Sequence, residues 1–93
     1  MIEWKYTIRT GKNLREAIDA GDVNLVVRCL IVCYHELFNR LSDEDKGFCE
    51  IDIEDAIFNL ESFDQDEDVD EDVDEYLAHF YDLCDDLGAW VEI

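Results

Sequence analysis

Positive charge is missing from the second half of this sequence. All seven lysines and arginines lie within the first 46 residues, which also contain eight acidic residues, so this part carries 7 − 8 = −1. Residues 47–93 contain eighteen Asp and Glu residues and no Lys or Arg, which gives −18 and a total of −19. Such a chain repels DNA, RNA and anionic membranes. We therefore expect a basic protein surface as its partner, with no direct binding to nucleic acid or membrane.

Proline is absent, and glycine is scarce, with four among 93 residues. Long irregular loops are therefore not expected, and helix is favoured. The chain is nevertheless 48 % hydrophobic and 12 % aromatic, which separates it from disordered acidic chains that cannot bury a core. Chains of this length commonly form one domain. We predict a single folded domain over residues 1–93.

Signals for secretion, membrane insertion and catalysis are also lacking. The N-terminus has no apolar segment typical of a signal peptide. The longest apolar run, residues 25–34, is too short to span a bilayer and contains Arg28. There is no glycine-rich phosphate loop, and the two histidines, His35 and His79, do not form a zinc-enzyme motif. We predict a soluble, cytoplasmic protein that is not an enzyme and uses no cofactor, with His35 on a helix surface.

The four cysteines do not follow the spacing of a disulfide framework or of a common zinc site. They lie mostly among apolar residues, which is typical of buried free thiols in a reducing compartment. Acidic neighbours should also raise the pKa of the Cys49 thiol. We predict free, unreactive cysteines at Cys29, Cys33, Cys49 and Cys84.

The pattern of apolar residues predicts a mainly α fold, with about four helices around a central buried helix and a small two-stranded sheet. Apolar and polar residues alternate from Ile2 to Arg9, which indicates a strand. The closing residues 89–93 (AWVEI) are also β-prone and are expected to pair with it. The small sheet would then join the N- and C-terminal strands.

Two helices are predicted in the first half. Asn13 and Glu16 resemble a capping box that opens a short helix ending at Gly21. Asp22 can cap the next helix, Val23–Leu41, which is apolar around most of its circumference. A helix of this kind is buried, so it is predicted to be the central one.

Two more helices are predicted after a polar loop over Ser42–Phe48. The third should begin near Asp52, and the fourth should run from about Asp68–Asp70 to Gly88. In the fourth, apolar residues recur every three or four positions and carboxylates fall on the opposite side. The apolar positions are Val69, Val73, Tyr76, Leu77, Phe80, Leu83, Cys84 and Leu87.

The densest charge lies in Asp64–Glu75 (DQDEDVDEDVDE), which has nine carboxylates in twelve residues. On a helix this is roughly one charge per 2 Å of axis, close to the value of about 1.7 Å for duplex DNA. So many carboxylates exceed what solubility requires. The predicted partner-binding residues are Asp64, Asp66, Glu67, Asp68, Asp70, Glu71, Asp72, Asp74, Glu75, Asp82, Asp85 and Asp86.

In size and acidity the chain resembles the small phage-type DNA-mimic inhibitors, the anti-restriction and anti-CRISPR proteins. The resemblance is concentrated in residues 50–86, for example in DQDEDVDEDVDEY, and includes no motif. It implies an inhibitor that occupies the nucleic-acid-binding surface of an enzyme in the cytoplasm of a host cell. Each carboxylate would then replace a phosphate opposite Lys or Arg.

The sequence is compatible with several alternatives. The chain could be an immunity or antitoxin protein that blocks a basic nuclease site, or a generic acidic protein–protein module, and it could form a homodimer. Aromatic anchors would accompany the charge, with Trp90, Tyr76 and Tyr81 as candidates. A calcium loop of the EF-hand type is a weaker alternative, because its sixth position, which requires glycine, is Val69. Its ligand positions would be Asp64, Asp66, Asp68, Asp70, Asp72 and Glu75.

Overall fold

The computed structural model describes residues 4–62 and 69–92, with only the backbone of residues 69–72. Within these residues the chain forms four helices and two strands, and the predicted mainly α fold is confirmed. The buried residues make up one hydrophobic core. In chain order the elements are β1 (Tyr6–Ile8), α1 (Gly11–Ala20), α2 (Val23–Arg40), α3 (Asp43–Ser62), α4 (Val69–Leu87) and β2 (Ala89–Val91).

The two short strands pair in parallel, with Tyr6 opposite Ala89 and Ile8 opposite Val91. The predicted pairing of the N- and C-terminal strands is therefore confirmed, although β1 is shorter than the predicted strand. Ile8 is fully buried, which anchors the sheet to the core. At the other end of the sheet, the Lys5 amide donates to the Gly88 carbonyl at 2.7 Å.

Helix α2 is the central helix, as predicted, because it packs against α1, α3, α4 and β1. Asp22 caps it by accepting a hydrogen bond from the Leu25 amide at 3.2 Å. Its narrow polar stripe, which includes Arg28 and the predicted surface residue His35, is exposed. The buried side of α2 consists of Val26, Val27, Leu30, Cys33, Tyr34 and Leu37.

Tyr34 joins α2 to α4 through its hydroxyl group. The hydroxyl oxygen lies 2.8 Å from His79 Nδ1 and 3.1 Å from the Tyr76 carbonyl oxygen. The Tyr34 ring also meets Phe80 edge-on, with the ring centres 5.1 Å apart. Burial raises the pKa of Tyr34, so its hydroxyl stays protonated. These contacts fix the rotation of α4 about its own axis.

The predicted cap of the first helix is wrong. Helix α1 begins at Gly11, and Asn13 is an exposed residue within it. A carboxylate from another helix takes the role instead, since Glu36 of α2 accepts from the Thr10 amide and the Thr10 hydroxyl, both at 2.8 Å. Negative charge near the N-terminus of a helix is favourable. Gly21 ends α1 in the left-handed conformation, with φ of 70°, as predicted.

The predicted polar loop Ser42–Phe48 is also wrong, because α3 already begins at Asp43. The Ser42 hydroxyl accepts from the Asp45 amide at 3.4 Å, and three acidic residues occupy the first turn, where the helix dipole stabilises them. The run Ser-Asp-Glu-Asp is an N-cap signature. The charge of this run and the following Gly47 favour a loop, and the N-cap signature outweighs them.

All four cysteines are free, as predicted, and three of them are buried. Burial raises the pKa of Cys33 to about 11 and that of Cys84 to about 12. Cys49 lies within α3, where its thiol donates to the Asp45 carbonyl at 3.1 Å. These thiols are therefore protonated and unreactive at neutral pH.

No helix in residues 4–62 and 69–92 combines the length and the apolar character that crossing a membrane requires.

Candidate protein-interaction surface

The outer side of α4 carries a group of carboxylates that the core holds in place. Its inner side is buried through residues that include Val73, Phe80 and Leu87. The exposed carboxylates are 12 positions apart at most, which is about 18 Å along the axis. We call them the α4 acidic face, and they are Asp74, Glu75, Asp82, Asp85 and Asp86.

The other predicted binding residues are less completely placed. Asp70, Glu71 and Asp72 belong to α4 by their backbone, while their side chains lie outside the described part of the structure. Four further predicted residues also lie outside it, and these are Asp64, Asp66, Glu67 and Asp68. The assignment of all these residues to partner binding stays a prediction.

Few of the carboxylates are paired with a cation. Among the described residues there are three salt bridges, which join Lys5 to Asp45, Arg15 to Asp19 and Arg40 to Glu36. One of them reaches α3 and none reaches α4. Hydrogen bonds from the Tyr6 hydroxyl at 2.6 Å and from Lys5 at 3.0 Å hold the pKa of Asp45 below its usual value. The α4 acidic face has no such partner in the described structure.

An open cleft of about 270 Å³ separates α3 from α4. Asp52 and Asp55 line it from α3, and Glu75, Tyr76 and His79 line it from α4. Glu75 therefore belongs both to the α4 acidic face and to this cleft. No residue of α3 is among the predicted binding residues, although the eight acidic residues of this helix against one lysine are a visible signal.

Helix α3 also exposes large apolar side chains, which the sequence interpretation missed. Phe48, Ile51 and Phe58 are 79 %, 76 % and 73 % exposed. Their spacing of three and seven residues places them along one side of the helix over about 15 Å. We call these three residues the apolar stripe. The same periodicity, counted from Phe48, could have revealed it.

The predicted aromatic anchors are distributed over two places. Tyr81 and Trp90 are 37 % and 43 % exposed, and with Trp4 they border an open groove of about 430 Å³ that also includes Asp85. Tyr76 is half-buried and lines the cleft between α3 and α4. Aromatic side chains therefore lie on both sides of the α4 acidic face.

The calcium alternative conflicts with the course of the backbone. Helix α4 begins at Val69, so the second half of the required loop, through Glu75, is helical and does not wrap around an ion. In the part of the chain that the structure describes, no three His, Cys, Asp or Glu side chains are arranged to hold a metal ion. We therefore do not propose calcium binding.

We expect salt to stabilise the protein, because like charges lie one helical turn apart in pairs such as Glu50–Glu54 and Asp82–Asp86. Each such pair destabilises a helix by a few tenths of a kcal/mol, and salt screens it. Raising NaCl from about 20 mM to about 500 mM should add about 1 kcal/mol, which corresponds to roughly 5 °C in Tm. Calorimetry measures the shift in Tm. The same measurement in CaCl₂ and in MgCl₂ at equal ionic strength is the control. A Tm that is unchanged or falls with NaCl would contradict the expectation.

No protein-family model matches the chain, and no curated protein or solved structure is significantly similar to it.

Proposed function

We propose that this protein occupies the positively charged, nucleic-acid-binding surface of a partner protein by presenting carboxylates in place of phosphates. It would act as an inhibitor in the manner of DNA-mimic proteins, with no catalytic residue and no cofactor. The observation that carries the proposal is the exposed α4 acidic face, fixed on a helix and without salt bridges in the described structure.

The spacing of charge along the helices supports this proposal. Helix α4 carries eight Asp and Glu residues among its 19 residues, which is about one carboxylate per 3.6 Å of axis. Helix α3 carries eight among 20, or about one per 3.8 Å. A single strand of duplex DNA carries one phosphate per about 3.4 Å. The α4 acidic face holds five of these carboxylates on one side of the helix within about 18 Å of axis. Lysines and arginines that are spaced for a DNA strand can therefore meet carboxylates of this face at a similar average interval.

The anchoring of α4 supports it further. Phe80 is fully buried, and Tyr34 contacts both Phe80 and His79. The carboxylates on the opposite side of α4 are consequently held by a packed helix. A pre-organised charged surface loses less conformational entropy on binding than a mobile acidic segment does. Electrostatic attraction would also accelerate its encounter with a basic partner.

The proposal can be tested on a panel of purified bacterial nucleases and DNA-binding enzymes, including restriction endonucleases and RNA-guided nucleases. Binding to at least one of them should compete with a short DNA duplex. If four carboxylates replace phosphates, affinity should fall about 100-fold between about 50 mM and about 200 mM salt. Binding that does not change with salt, or that does not compete with DNA on any enzyme of the panel, would contradict the proposal.

Neutralising two carboxylates of the α4 acidic face should weaken this binding about tenfold, because charge pairs with the partner are lost. The variant is Asp82→Asn with Asp86→Asn, and titration against the responsive enzyme measures the effect. The matched control is Glu16→Gln with Asp19→Asn on α1, which changes the net charge by the same amount and should alter affinity less than about twofold. Equal losses in both variants would mean that net charge, and not this surface, governs binding.

A further inference from the structure

The apolar stripe on α3 has no counterpart in the core. Helix α3 already buries one apolar side, through Cys49, Ile53, Ala56 and Leu60. At 100° per residue, the stripe is centred about 160° away from these buried residues. Helix α3 is therefore apolar on two opposite sides. Packing within the described structure explains one of them and not the other.

The exposed area of the stripe is large for a small protein. Two phenylalanines and one isoleucine, each about three-quarters exposed, present about 400 Å² of apolar surface. This is the size of the largest patch on a typical monomer, and such patches are often functional. It is also about half of the roughly 800 Å² per partner that stable interfaces bury. The stripe alone is thus too small to hold a stable dimer together.

The charges around the stripe indicate what kind of surface covers it. Glu44 and Asp55 lie on the same side of α3 as the stripe, and both are exposed. The one lysine of α3, Lys46, points elsewhere, since its Nζ lies 5.4 Å from the centre of the Phe38 ring. In the described residues of α3, no cation therefore borders the stripe. A second copy of this chain would bring the same carboxylates against these, which disfavours self-association.

The stripe is also continuous with the acidic surface. Asp55 is one helical turn from both Ile51 and Phe58, and it lines the cleft between α3 and α4. Glu75 lines the same cleft and belongs to the α4 acidic face. A partner element lying along α3 would therefore meet apolar side chains on one side and carboxylates beside them.

We infer that the apolar stripe and the neighbouring carboxylates together bind a basic amphipathic helix of the partner protein. Its apolar residues would cover Phe48, Ile51 and Phe58, and its bordering lysines and arginines would face Asp55 and Glu75. The length of about 15 Å matches two to three turns of such a helix. This inference rests on the proposed function, because it specifies the partner chemistry for the same acidic surface. The stripe adds selectivity that charge alone does not give.

Two synthetic peptides of about 18 residues test this inference. Both carry the same lysines, and one has leucines at helical i, i+3, i+4 and i+7 spacing where the other has glutamines. By fluorescence anisotropy, the protein should bind the amphipathic peptide about tenfold more tightly than the glutamine peptide. The variant Phe48→Gln with Phe58→Gln should lose this preference and keep the salt dependence of binding.

The matched control removes two exposed apolar residues from another helix, by Leu25→Gln with Val32→Gln on α2, and should keep the preference. Equal binding of both peptides, or equal loss in both variants, would overturn the inference and leave the charge-based function untouched. If binding of the wild-type protein to these lysine-containing peptides did not weaken with added salt, the proposed function would instead be overturned. Sedimentation would also overturn the inference if the wild type were a dimer and the Phe48→Gln, Phe58→Gln variant a monomer. That result would mean that a second copy of the chain covers the stripe.

Discussion

Replacing Gly11 with alanine should destabilise the protein by about 2 kcal/mol, because α1 begins in direct contact with β2. A Cβ atom at this position would overlap Val91 Cγ1 and would lie 2.8 Å from the Glu92 carbonyl oxygen. The valine side chain can rotate, but the carbonyl belongs to the backbone beside the sheet. The Glu92 amide donates to the Ile8 carbonyl at 2.9 Å, so any displacement of this segment also strains the pairing of β1 and β2.

Gly47→Ala is the matched control for this substitution. Gly47 lies in the first half of α3, and a Cβ atom there would meet nothing within 4 Å. Alanine is favoured over glycine inside a helix, so this variant should gain about 0.5–1 kcal/mol. Urea unfolding followed by circular dichroism measures both changes. If Gly11→Ala were as stabilising as Gly47→Ala, the close approach of α1 to β2 would be wrong.

Replacing Glu36 with alanine should cost about 2 kcal/mol, because three donors lose their charged acceptor. The Glu36 carboxylate accepts from the Thr10 amide, the Thr10 hydroxyl and Arg40 Nε at 2.7–2.8 Å. Its side chain is 14 % exposed, so water replaces these contacts only in part. Glu50→Ala removes an exposed glutamate from α3 and should change stability by less than about 0.5 kcal/mol.

The contribution of Glu36 should also depend on pH. Partial burial would raise the pKa of Glu36, but the hydrogen bonds from Thr10 and Arg40 outweigh it and lower the pKa from 4.5 to about 2. A carboxyl group whose pKa is lower in the folded state stabilises the fold above its unfolded pKa, and this stabilisation is lost as pH falls. The stability difference between wild type and Glu36→Gln should therefore be constant above pH 4.5 and shrink towards pH 2. An equal difference at pH 7 and about pH 2 would contradict the assignment.

Sequence periodicity correctly predicted the helices and strands in which buried residues recur regularly along the element. The apolar circumference of α2 identified the central helix, and the spacing of Val73, Phe80 and Leu87 identified α4 and its acidic side. The alternation near Ile8 identified a strand. In each case the hydrophobic effect acts on residues close in sequence, so the pattern and the structure agree.

The incorrect predictions arose where the local structure is determined by residues distant in the sequence or by competing local signals. Glu36 accepts a hydrogen bond from the Thr10 amide, 26 positions away in the sequence. The spacing of residues around Asn13 therefore could not reveal this contact. After Ser42 the acidic residues have the composition of a loop, but the helix dipole also stabilises them in the first turn of a helix. The exposed side of α3 was not predicted, because the spacing of Ile53 and Leu60 accounts for one apolar face of the helix and Phe58 lies outside it.

The parallel pairing of β1 with β2 constrains the order of the folding steps. Tyr6 and Ala89 are 89 − 6 = 83 residues apart, and the four helices of the described structure lie between them in the sequence. Closing so long a loop before those helices pack would carry a large entropy cost for a few hydrogen bonds. Strand pairing should therefore be the last event of folding. Hydrogen exchange protection at the Glu92 amide would then report on completed molecules and not on folding intermediates.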